Sequence, residues 1–472
     1  MKTVIVVIFV FLFSNAAKAQ NTFEKVVDTL GSGGANCIMQ TFDGGYIYCG
    51  VCSLNGNDAI IVKLDSIGTI EWVKRYSGPG IESADYIEQL PDSGYIVNAI
   101  YDGGLYSKSW LLRLDVNGDS LWTKTFSAGT GATDPSVQNS MTSVNSAIYG
   151  LTGYYKPMPP TFISAFFIAT AGNGFQLSNK IYSPSIYGTD SRSIEKTFDG
   201  GFVMAGVIGK PFSQSDIYVI RTNTYGDTLW TKAYDLSWHE AAFDIFQTND
   251  SGFIITGIVQ NLSTFQYNLS LIKTDSNGDT LWTKLYGGSL TCEGRSILQT
   301  NDGGYVVVGT INNPDPQVYI LKANQNGDTI WTKEFGSIAG DHGYFVKQTK
   351  DGGYIISGDG FINGVGGAYI IKTDSLGNIN SGTGVAEVNN PFKFNIYPNP
   401  STGIFQVHVN GMATKTASLY IYNTTSQLVY AGNIINNKPK QINLSELASG
   451  IYSLRTIIGS HQYFSKKIVI QK

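Results

Sequence analysis

Residues 275–284 read Asp-Ser-Asn-Gly-Asp-Thr-Leu-Trp-Thr-Lys. The pattern Asp-x-x-Gly-Asp-x-Leu-Trp-x-Lys recurs along the chain, with substitutions, at intervals of 49 to 56 residues. Its glycines are Gly68, Gly118, Gly174, Gly226, Gly278, Gly327 and Gly377. A fixed period of about 50 residues is typical of a repeat architecture.

Each repeat carries the pattern of four short strands. In residues 292–333, four runs rich in β-forming residues are separated by turn sequences at 301–304 (NDGG) and 324–328 (NQNGD) and by a looser stretch. The first turn recurs at Asp43, Asp92, Asp199, Asp250, Asp302 and Asp351, and a degraded copy lies near Asn145 and Ser146. Seven units of four strands predict an all-β fold, a seven-bladed β-propeller.

The two ends of the repeat region predict how the ring closes. The repeated tryptophans are Trp72, Trp122, Trp230, Trp282 and Trp331, and Ser178 replaces the tryptophan in the third unit. The last copy of the motif, at 374–378, is followed by no Trp-x-Lys, whereas residues 23–27 (FEKVV) match that strand with Phe23 at the Trp position. We expect the N-terminal strand to complete the seventh blade, because closure removes open sheet edges.

The first 19 residues have the pattern of a signal peptide. A basic start precedes an apolar run at 4–13, and a small-x-small site predicts cleavage between Ala19 and Gln20. The apolar run is too short to span a bilayer, and no later stretch approaches 18 apolar residues. We expect an exported monomer without a transmembrane segment.

Composition narrows the classes of partner. Charged residues make up only 14% of the chain and the net charge is −4, with no basic tract, so a nucleic-acid partner is not expected. Four cysteines are too few for a disulfide scaffold. Cys49 and Cys52 form a C-x-x-C, which fits either a redox pair or, since later repeats place other residues at position 49, a small strand residue.

Candidate binding residues lie on the face with variable loops, opposite the short uniform turns. Trp238, His239 and Glu240 occupy one such loop. The Trp could stack on a sugar beside the carboxylate, or cover its own blade. The acidic residues nine or ten positions before the Asp-Gly turn are Glu82, Asp190, Glu240, Glu293 and Asp341. They could bind a cation or a hydroxylated ligand at the channel mouth, or hold loops by accepting backbone N–H bonds.

Catalytic and metal-binding motifs have little support. No Gly-x-Ser-x-Gly, His-Glu-x-x-His or phosphate-loop motif is present. The Asp-x-Asn-x-Asp spacing at 115–119 and 275–279 resembles calcium loops but lacks their glycine at position six and glutamate at position twelve. We expect no cofactor, with calcium as the alternative.

The repeat ends before a different C-terminal region. The predicted boundaries are 20–381 for the propeller, 382–391 for a linker and 392–472 for the C-terminal domain. Phe405, Val407 and Val409 alternate with polar residues, and further apolar runs follow. About 80 residues of this kind predict a small antiparallel β-sandwich.

Several motifs of this domain match one family. They are Tyr397-Pro398-Asn399-Pro400 with Gly403, LYIYN at 419–423, Leu-x-x-Gly-Ile-Tyr at 447–452 with Gly450, and the terminal KKIVIQK with Lys466, Lys467 and Lys472. The domain resembles the type A C-terminal sorting domain of the type IX secretion system of Bacteroidetes. The alternative is an ordinary carbohydrate-binding or fibronectin-like sandwich.

The resemblance implies a route and a location. It implies passage through the periplasm and across the outer membrane, with the type IX secretion machinery as a partner. It also implies removal of the domain, and release or tethering of the cargo at the cell surface. We expect a secreted or cell-surface binding or adhesion protein that presents its variable face to a glycan or protein ligand. The alternatives are a secreted polysaccharide hydrolase or lyase using carboxylates on that face, and a structural envelope component.

Overall fold

The computed structural model describes residues 21–27, 33–53, 57–78, 80–102, 107–127, 140–144, 147–155, 162–337, 340–362, 365–379, 393–410, 416–423, 428–435, 438–458 and 462–472. The predicted signal peptide, with Ala19 and Gln20, lies outside the described residues. So do the predicted linker and the degraded turn at Asn145 and Ser146. The three domain boundaries therefore stay predictions.

Within the described residues, seven four-stranded antiparallel sheets form the blades of a propeller. We number the blades 1 to 7 and label their strands a to d. Blades 1 to 4 consist of Ala35–Gln40, Tyr46–Cys52, Asp58–Leu64 and Ile70–Tyr76; Ser83–Gln89, Tyr95–Asp102, Ser107–Leu114 and Ser120–Phe126; Ser140–Val144, Ile148–Tyr155, Ser164–Ala171 and Gln176–Tyr182; and Thr189–Lys196, Phe202–Gly209, Ser215–Thr222 and Thr228–Tyr234. Blades 5 to 7 consist of Glu240–Gln247, Phe253–Gln260, Tyr267–Thr274 and Thr280–Tyr286; Cys292–Gln299, Tyr305–Asn312, Pro316–Ala323 and Thr329–Phe335; and His342–Gln348, Tyr354–Ile362, Val365–Thr373 and Phe23–Val27.

The sheets close into a ring around the a strands. Strand a of every blade contacts strand a of the next, and strand a of blade 1 contacts strands a and b of blade 7. Apolar side chains from neighbouring sheets pack together, as Ile47 of blade 1 does with Val97 of blade 2. The short a–b and c–d turns share one face, here called the uniform face. The b–c and d–a connections form the variable face.

The N-terminal strand completes blade 7, which confirms the predicted closure. Phe23–Val27 pairs antiparallel with strand c of that blade, and Phe23 lies opposite Lys372. Trp331 of blade 6 lies opposite Lys322 in the same register. Phe23 therefore occupies the position that tryptophan holds in most other blades.

The repeated tryptophan and glycine meet between neighbouring blades. A Cβ atom on Gly327, which has a φ of +79°, would lie 2.9 Å from the ring of Trp282. Only glycine allows both that backbone and that approach. Blade 3 has Ser178 instead of tryptophan, and the ring of Phe167 from its strand c contacts the corresponding Gly226. In blade 3 an aromatic ring therefore still packs against the glycine, but it comes from strand c and not from strand d.

A buried cation on strand c binds the aspartate of the a–b turn. Lys372 is fully buried and its Nζ lies 3.0 Å from Asp351 Oδ2. Six blades repeat this pair: Lys63 with Asp43, Arg113 with Asp92, Arg221 with Asp199, Lys273 with Asp250, Lys322 with Asp302, and Lys372 with Asp351. Blade 3 has Ala169 at the cation position. The repeated turn therefore depends on a strand residue that the turn motif itself does not contain.

The C-terminal domain is a small two-sheet unit. One sheet holds Lys393–Tyr397, Ile404–Asn410 and Lys440–Asn443; the other holds Thr416–Tyr422, Leu428–Ile435, Gly450–Ile458 and Gln462–Ile470. Phe405 and Val407 from the first sheet share a core with Leu419, Ile421 and Leu454 from the second. This arrangement agrees with the predicted sandwich.

Helix is nearly absent from the part of the chain that the structure describes. Its one helical element there is the short 3₁₀ turn Pro211–Ser213. No helix in the described ranges has the length and apolar character needed to cross a membrane.

Candidate functional site

Loops of blades 3, 4 and 5 join into one continuous rim on the variable face. Backbone N–H groups bond backbone carbonyls of a neighbouring loop as follows: Thr189 to Ile163 (2.9 Å), Gly209 to Gly188 (2.8 Å), Ser215 to Trp238 (3.3 Å) and Gln260 to His239 (2.9 Å). These bonds fix each loop against the next, so side chains on the rim have a defined spacing.

Among the residues that the structure describes, five aromatic side chains are exposed along this rim, and we call them the aromatic arc. They are Phe162 (55% exposed), Tyr187 (45%), Phe212 (87%), Trp238 (45%) and Phe265 (73%). Aromatic residues dominate cores and interfaces because they bury a large apolar area. A group of them left in solvent on connected loops is therefore a candidate interaction surface.

Tight loops hold two of these rings outward. Phe212 and Phe265 both have positive φ, at 59° and 57°. Such a backbone is uncommon for bulky residues, and outliers of this kind concentrate at functional sites. Hydrogen bonds within each loop fix it, from Lys210 N to Gln214 O (2.8 Å) and from Phe265 N to Asn261 O (2.7 Å).

A pocket of about 370 Å³ opens beside the arc, and we call it the blade 4 pocket. Phe162 and Tyr187 of the arc form part of its wall, with their ring centroids 6.3 Å apart. Asp190, Lys210 and His239 supply polar groups to the same wall. The volume falls within the range of small-molecule sites, which is about 300–1,000 Å³.

The predicted group Trp238, His239 and Glu240 separates in the structure. Trp238 is exposed on the arc and His239 lines the pocket, whereas Glu240 is only 1% exposed. Glu240 Oε1 accepts a hydrogen bond from Leu236 N (3.1 Å), and burial raises the pKa of this carboxyl to about 7. Glu240 therefore holds its own loop, and its carboxylate does not lie at the surface beside the Trp238 ring.

Two more of the predicted acidic residues have the same loop-holding position. Glu82 and Asp341 are fully buried. Glu82 Oε1 accepts from Gly80 N (3.3 Å), and Asp341 accepts from the backbone N–H groups of Ser337 and Phe361. These contacts agree with the structural alternative raised from the sequence, while a ligand-binding role for these residues stays a prediction.

Asp190 and Glu293 form ion pairs at the variable-face end of strand a. Asp190 Oδ2 lies 2.9 Å from Arg192 Nη2, and Glu293 Oε1 lies 3.1 Å from Arg295 Nε. Both guanidinium groups lie over the ring of Phe243, at 5.0 and 4.3 Å from its centroid. Arg192, Phe243 and Arg295 belong to blades 4, 5 and 6, so these contacts link the three blades beside the ring axis.

The residues that surround the axis were not predicted. Strand a has a register shift in six blades, and the residue at that shift is Asn36, Asp85, Arg192, Phe243, Arg295 or Tyr344. Each stands two residues before the repeated Ile or Val of strand a. That offset was a usable signal, because the residue type varies between repeats while the residue before it is always small and the residue two positions after it is always Ile or Val.

Charged side chains also line the inner wall further along strand a. Burial raises the pKa of Glu195 to about 7, and the carboxylate of Asp244 adds to this rise while Lys347 opposes it. Asp244 itself has a raised pKa, owing to burial, although it accepts hydrogen bonds from Ser193 Oγ (2.6 Å) and Ile297 N (2.8 Å). The inner wall therefore holds two partly exposed carboxyl groups with a raised pKa.

The calcium-like spacings form ordinary turns. Asp115 Oδ1 accepts from the backbone N–H groups of Asn117 (2.9 Å) and Asp119 (2.8 Å). Asp275 accepts from Asn277 and Asp279 in the same way. Across the described ranges, no three His, Cys, Asp or Glu side chains gather as metal ligands would. Calcium stays a prediction of the sequence.

The four cysteines are buried strand residues. Cys37, Cys49, Cys52 and Cys292 are all free thiols. Burial raises the pKa of Cys49, and the hydrogen bond with Cys37 adds to the rise. A raised pKa disfavours the reactive thiolate, so this arrangement supports the small-strand-residue interpretation over a redox pair.

The motif residues of the C-terminal domain have structural roles. Asn399 Oδ1 accepts from Val469 N (2.8 Å), which ties the Tyr397–Pro400 segment to the last strand. Gly403 has a φ of +103°, and a Cβ there would lie 2.8 Å from Ser445 Cα. Lys466 and Lys467 lie in the last strand, and Lys472 ends the chain with its N–H bonded to Ser449 Oγ (3.1 Å).

Comparison with known proteins identifies a family for the C-terminal domain. Residues 395–471 match the family described as the secretion system C-terminal sorting domain. No curated protein matches the chain by sequence. Similar solved structures include puromycin hydrolase (TM-score 0.47, 12% identity, covering 81% of this chain and 60% of that one) and a fungal alcohol oxidase of the AA5 family in complex with copper (0.48, 10%, 95% and 98%). The β-propeller domain of the Trilobed protease from Pyrococcus furiosus is also similar (0.41, 11%, 78% and 99%).

These structural likenesses are distant and say nothing about activity. The chain spans 60% of the length of puromycin hydrolase. The sorting domain is more informative, because its match and its motif geometry concern the same residues. The protein is a β-propeller with a C-terminal type IX sorting domain, exported through that system to the cell surface or the medium, which fits a Bacteroidetes origin.

Proposed function

We propose that this protein is a secreted or cell-surface binding protein whose variable face holds a glycan. The observation that carries the proposal is the aromatic arc, five exposed rings on hydrogen-bonded loops beside the blade 4 pocket. Exposed aromatic rings offer apolar faces at a small conformational cost, and contiguous patches of this kind mark interaction sites. The sorting domain brings this face to the outside of the cell, where glycans are available ligands.

A concave site favours a glycan over a flat protein surface. The blade 4 pocket combines aromatic side chains with hydroxyl, amide and imidazole groups. Sites for small polar ligands have this mixture of apolar walls and a few placed polar groups. Protein interfaces instead bury about 800 Å² per partner over a broad patch. Binding of a surface protein would therefore use the arc but leave the pocket without a role.

The acidic residues predicted on the variable face do not support the hydrolase or lyase alternative. Glycoside hydrolysis uses two carboxyl groups that flank the scissile bond. Glu82, Glu240 and Asp341 are buried and hold loops, and Asp190 and Glu293 are paired with arginines. Catalysis stays a prediction of the sequence alone.

A glycan array compares the wild-type protein with two variants. Trp238→Ala removes an exposed ring from the arc, while Phe198→Ala removes a ring of similar exposure (68%) from the uniform face. We expect the wild type and Phe198→Ala to bind the same glycans, and Trp238→Ala to bind them about 10-fold more weakly, as the loss of a stacking contact worth about 1.4 kcal/mol implies. A wild type that binds no glycan, or equal losses in both variants, contradicts the proposal.

A further inference from the structure

We infer that the blade 4 pocket takes one uncharged sugar ring, a neutral hexose unit of the bound glycan. This inference rests on the proposed function and specifies the ligand class of its site. It depends on three features of the pocket wall, namely its paired charges, its uncharged polar groups and its aromatic side chains.

The charged groups of the wall already have partners of opposite charge. Lys210 Nζ lies 2.6 Å from Asp216 Oδ2 and 2.8 Å from Asp235 Oδ2. An additional anionic group on the ligand would have to compete with these two carboxylates. Lys210 is therefore a poor partner for a uronate or a sulfated sugar.

Asp190 is neutralised on the other side of the pocket. Its Oδ2 pairs with Arg192 Nη2 at 2.9 Å, and its Oδ1 accepts from Val207 N at 2.8 Å. A cationic ligand would have to displace Arg192 to reach this carboxylate. Since both charged wall residues have internal partners, an uncharged ligand loses the least electrostatic energy on entry.

One hydroxyl group of the wall lacks a partner within the described residues. Thr189 is 1% exposed, and its Oγ1 has no hydrogen bond in the described part of the chain. A buried hydroxyl without a partner is destabilising, and buried polar groups in native proteins are almost always paired. Because this oxygen has almost no accessible surface, a ligand hydroxyl would satisfy it only if the pocket wall shifts on binding. Gln214 and His239 offer an amide and an imidazole on the same wall.

The aromatic side chains and the volume limit the ligand to a small ring. Phe162 and Tyr187 are about half exposed, and their planes are tilted by 54°. Such faces suit the apolar C–H surface of a pyranose ring. A pocket of about 370 Å³ lies near the lower limit of small-molecule sites, so it suits one sugar unit and not a long chain.

Calorimetric titration of the full chain with matched sugar pairs tests the inference. The probes are methyl glucoside against glucuronate and methyl galactoside against galacturonate, because each pair differs in charge on nearly the same ring. We expect at least one methyl hexoside to bind about 10-fold tighter than its uronate, equivalent to about 1.4 kcal/mol. Tyr187→Ala should weaken that binding, while Phe198→Ala should leave it unchanged.

A second pair of variants addresses the buried hydroxyl without changing the shape of the pocket. Thr189→Val removes the unpartnered hydroxyl of the pocket, and Thr310→Val removes an equally unpartnered hydroxyl in blade 6. Both variants should have similar melting temperatures, so a difference in stability would not explain a difference in their affinity for the hexoside. Only Thr189→Val should lower the affinity for the hexoside.

The outcomes separate this inference from the proposed function. Tighter binding of a uronate than of its hexoside, or equal affinity in Thr189→Val and Thr310→Val, overturns the neutral-ring inference. If no monosaccharide binds although the array shows Trp238-dependent glycan binding, the inference is wrong and the proposed function stands. If neither the array nor the titration shows binding, both are wrong.

Discussion

Phe23 and Lys372 are direct cross-strand partners, although they come from opposite ends of the propeller sequence. Lys372 also binds Asp351, so one residue contacts both the closing strand and the a–b turn of blade 7. The Phe23 ring packs edge-on against Tyr46 of blade 1, with centroids 5.7 Å apart. The first described strand thus joins blade 7 to blade 1 through the Phe23 ring and through Lys25, whose Nζ donates to Gly68 O at 2.9 Å.

The first prediction concerns this closing strand. Phe23→Ala should lower the free energy of unfolding by about 2–4 kcal/mol, because it removes a ring packed between two blades. Chemical denaturation followed by intrinsic fluorescence measures the change. Leu121→Ala, on the outer strand of blade 2 with 59% exposure, is the control and should change stability little. Equal stability of wild type and Phe23→Ala would refute a structural role for the closure.

The second prediction separates backbone strain from contact with tryptophan. Gly327 and Gly303 are both in blade 6 and have nearly equal φ, +79° and +81°. A Cβ on Gly327 would meet Trp282 at 2.9 Å, whereas a Cβ on Gly303 would meet nothing within 4 Å. Gly327→Ala should therefore cost about 1–3 kcal/mol more than Gly303→Ala, the usual cost of overpacking. Thermal unfolding of both variants measures the difference, and equal costs would contradict the packing explanation.

The third prediction concerns acid stability. Partial burial alone would raise the pKa of Asp302, but hydrogen bonds from Lys322 Nζ (2.7 Å) and Thr300 Oγ1 (2.5 Å) outweigh it and lower the pKa to about 2. An unfolded aspartate has a pKa of about 3.9. The stabilisation from this pair is therefore complete above about pH 4 and is lost as the pH falls towards 2.

Melting temperatures measured from pH 7 to pH 2 test this dependence. Asp302→Asn should lower the melting temperature at pH 7 and reduce its fall below pH 4, because the variant has no proton to gain at this site. Glu334→Gln, at an exposed position of the same blade, is the control and should follow the wild-type curve. If the melting temperature of Asp302→Asn changes with pH in parallel with that of the wild type, the stabilisation by the Lys322–Asp302 pair is contradicted.

The fourth prediction uses two glycines of the sorting domain. Gly403 has a positive φ and no space for a Cβ beside Ser445, whereas the nearest atom to a Cβ on Gly450 is in Tyr452 at 3.9 Å. Gly403→Ala should destabilise the domain and leave the protein in the periplasm, while Gly450→Ala should be exported normally. Immunoblots of periplasmic, surface and medium fractions measure the distribution. Normal export of Gly403→Ala would show that the turn is not needed for sorting.

Much of the fold was predictable, because the repeat indicates the register of the strands as well as the number of blades. The glycine of one motif packs against the tryptophan of the preceding blade. The spacing of the motif along the chain therefore indicates both the number of blades and the position of Phe23. The buried cation of strand c was missed, although Lys372 and its equivalents recur in the sequence. A lysine in an apolar run was hard to interpret without the turn that it contacts.

The candidate site was less predictable, because a shift of one position along a strand gives a side chain different surroundings. Glu82, Glu240 and Asp341 stand ten positions before the turn aspartate and are buried, whereas Asp190 and Glu293 stand nine before it and pair with arginines. Successive strand residues point to opposite faces, so the two groups have different roles. The interpretation from the sequence alone placed all five residues in a single set.

The aromatic arc could not be assembled from the sequence alone. Phe162, Tyr187, Phe212 and Phe265 belong to loops of different length, and no shared motif relates them. Trp238 was singled out because it lies outside the repeated position. Its neighbours on the rim become visible only once backbone bonds such as Ser215 to Trp238 connect the loops.

A crystal structure of the protein with a methyl hexoside bound is the most direct test of glycan binding on the variable face. We predict that the sugar ring lies in the blade 4 pocket, in contact with Tyr187 and within hydrogen-bonding distance of Thr189 or His239. A sugar bound instead in the central channel beside Phe243, or on the uniform face near Phe198, would contradict this assignment.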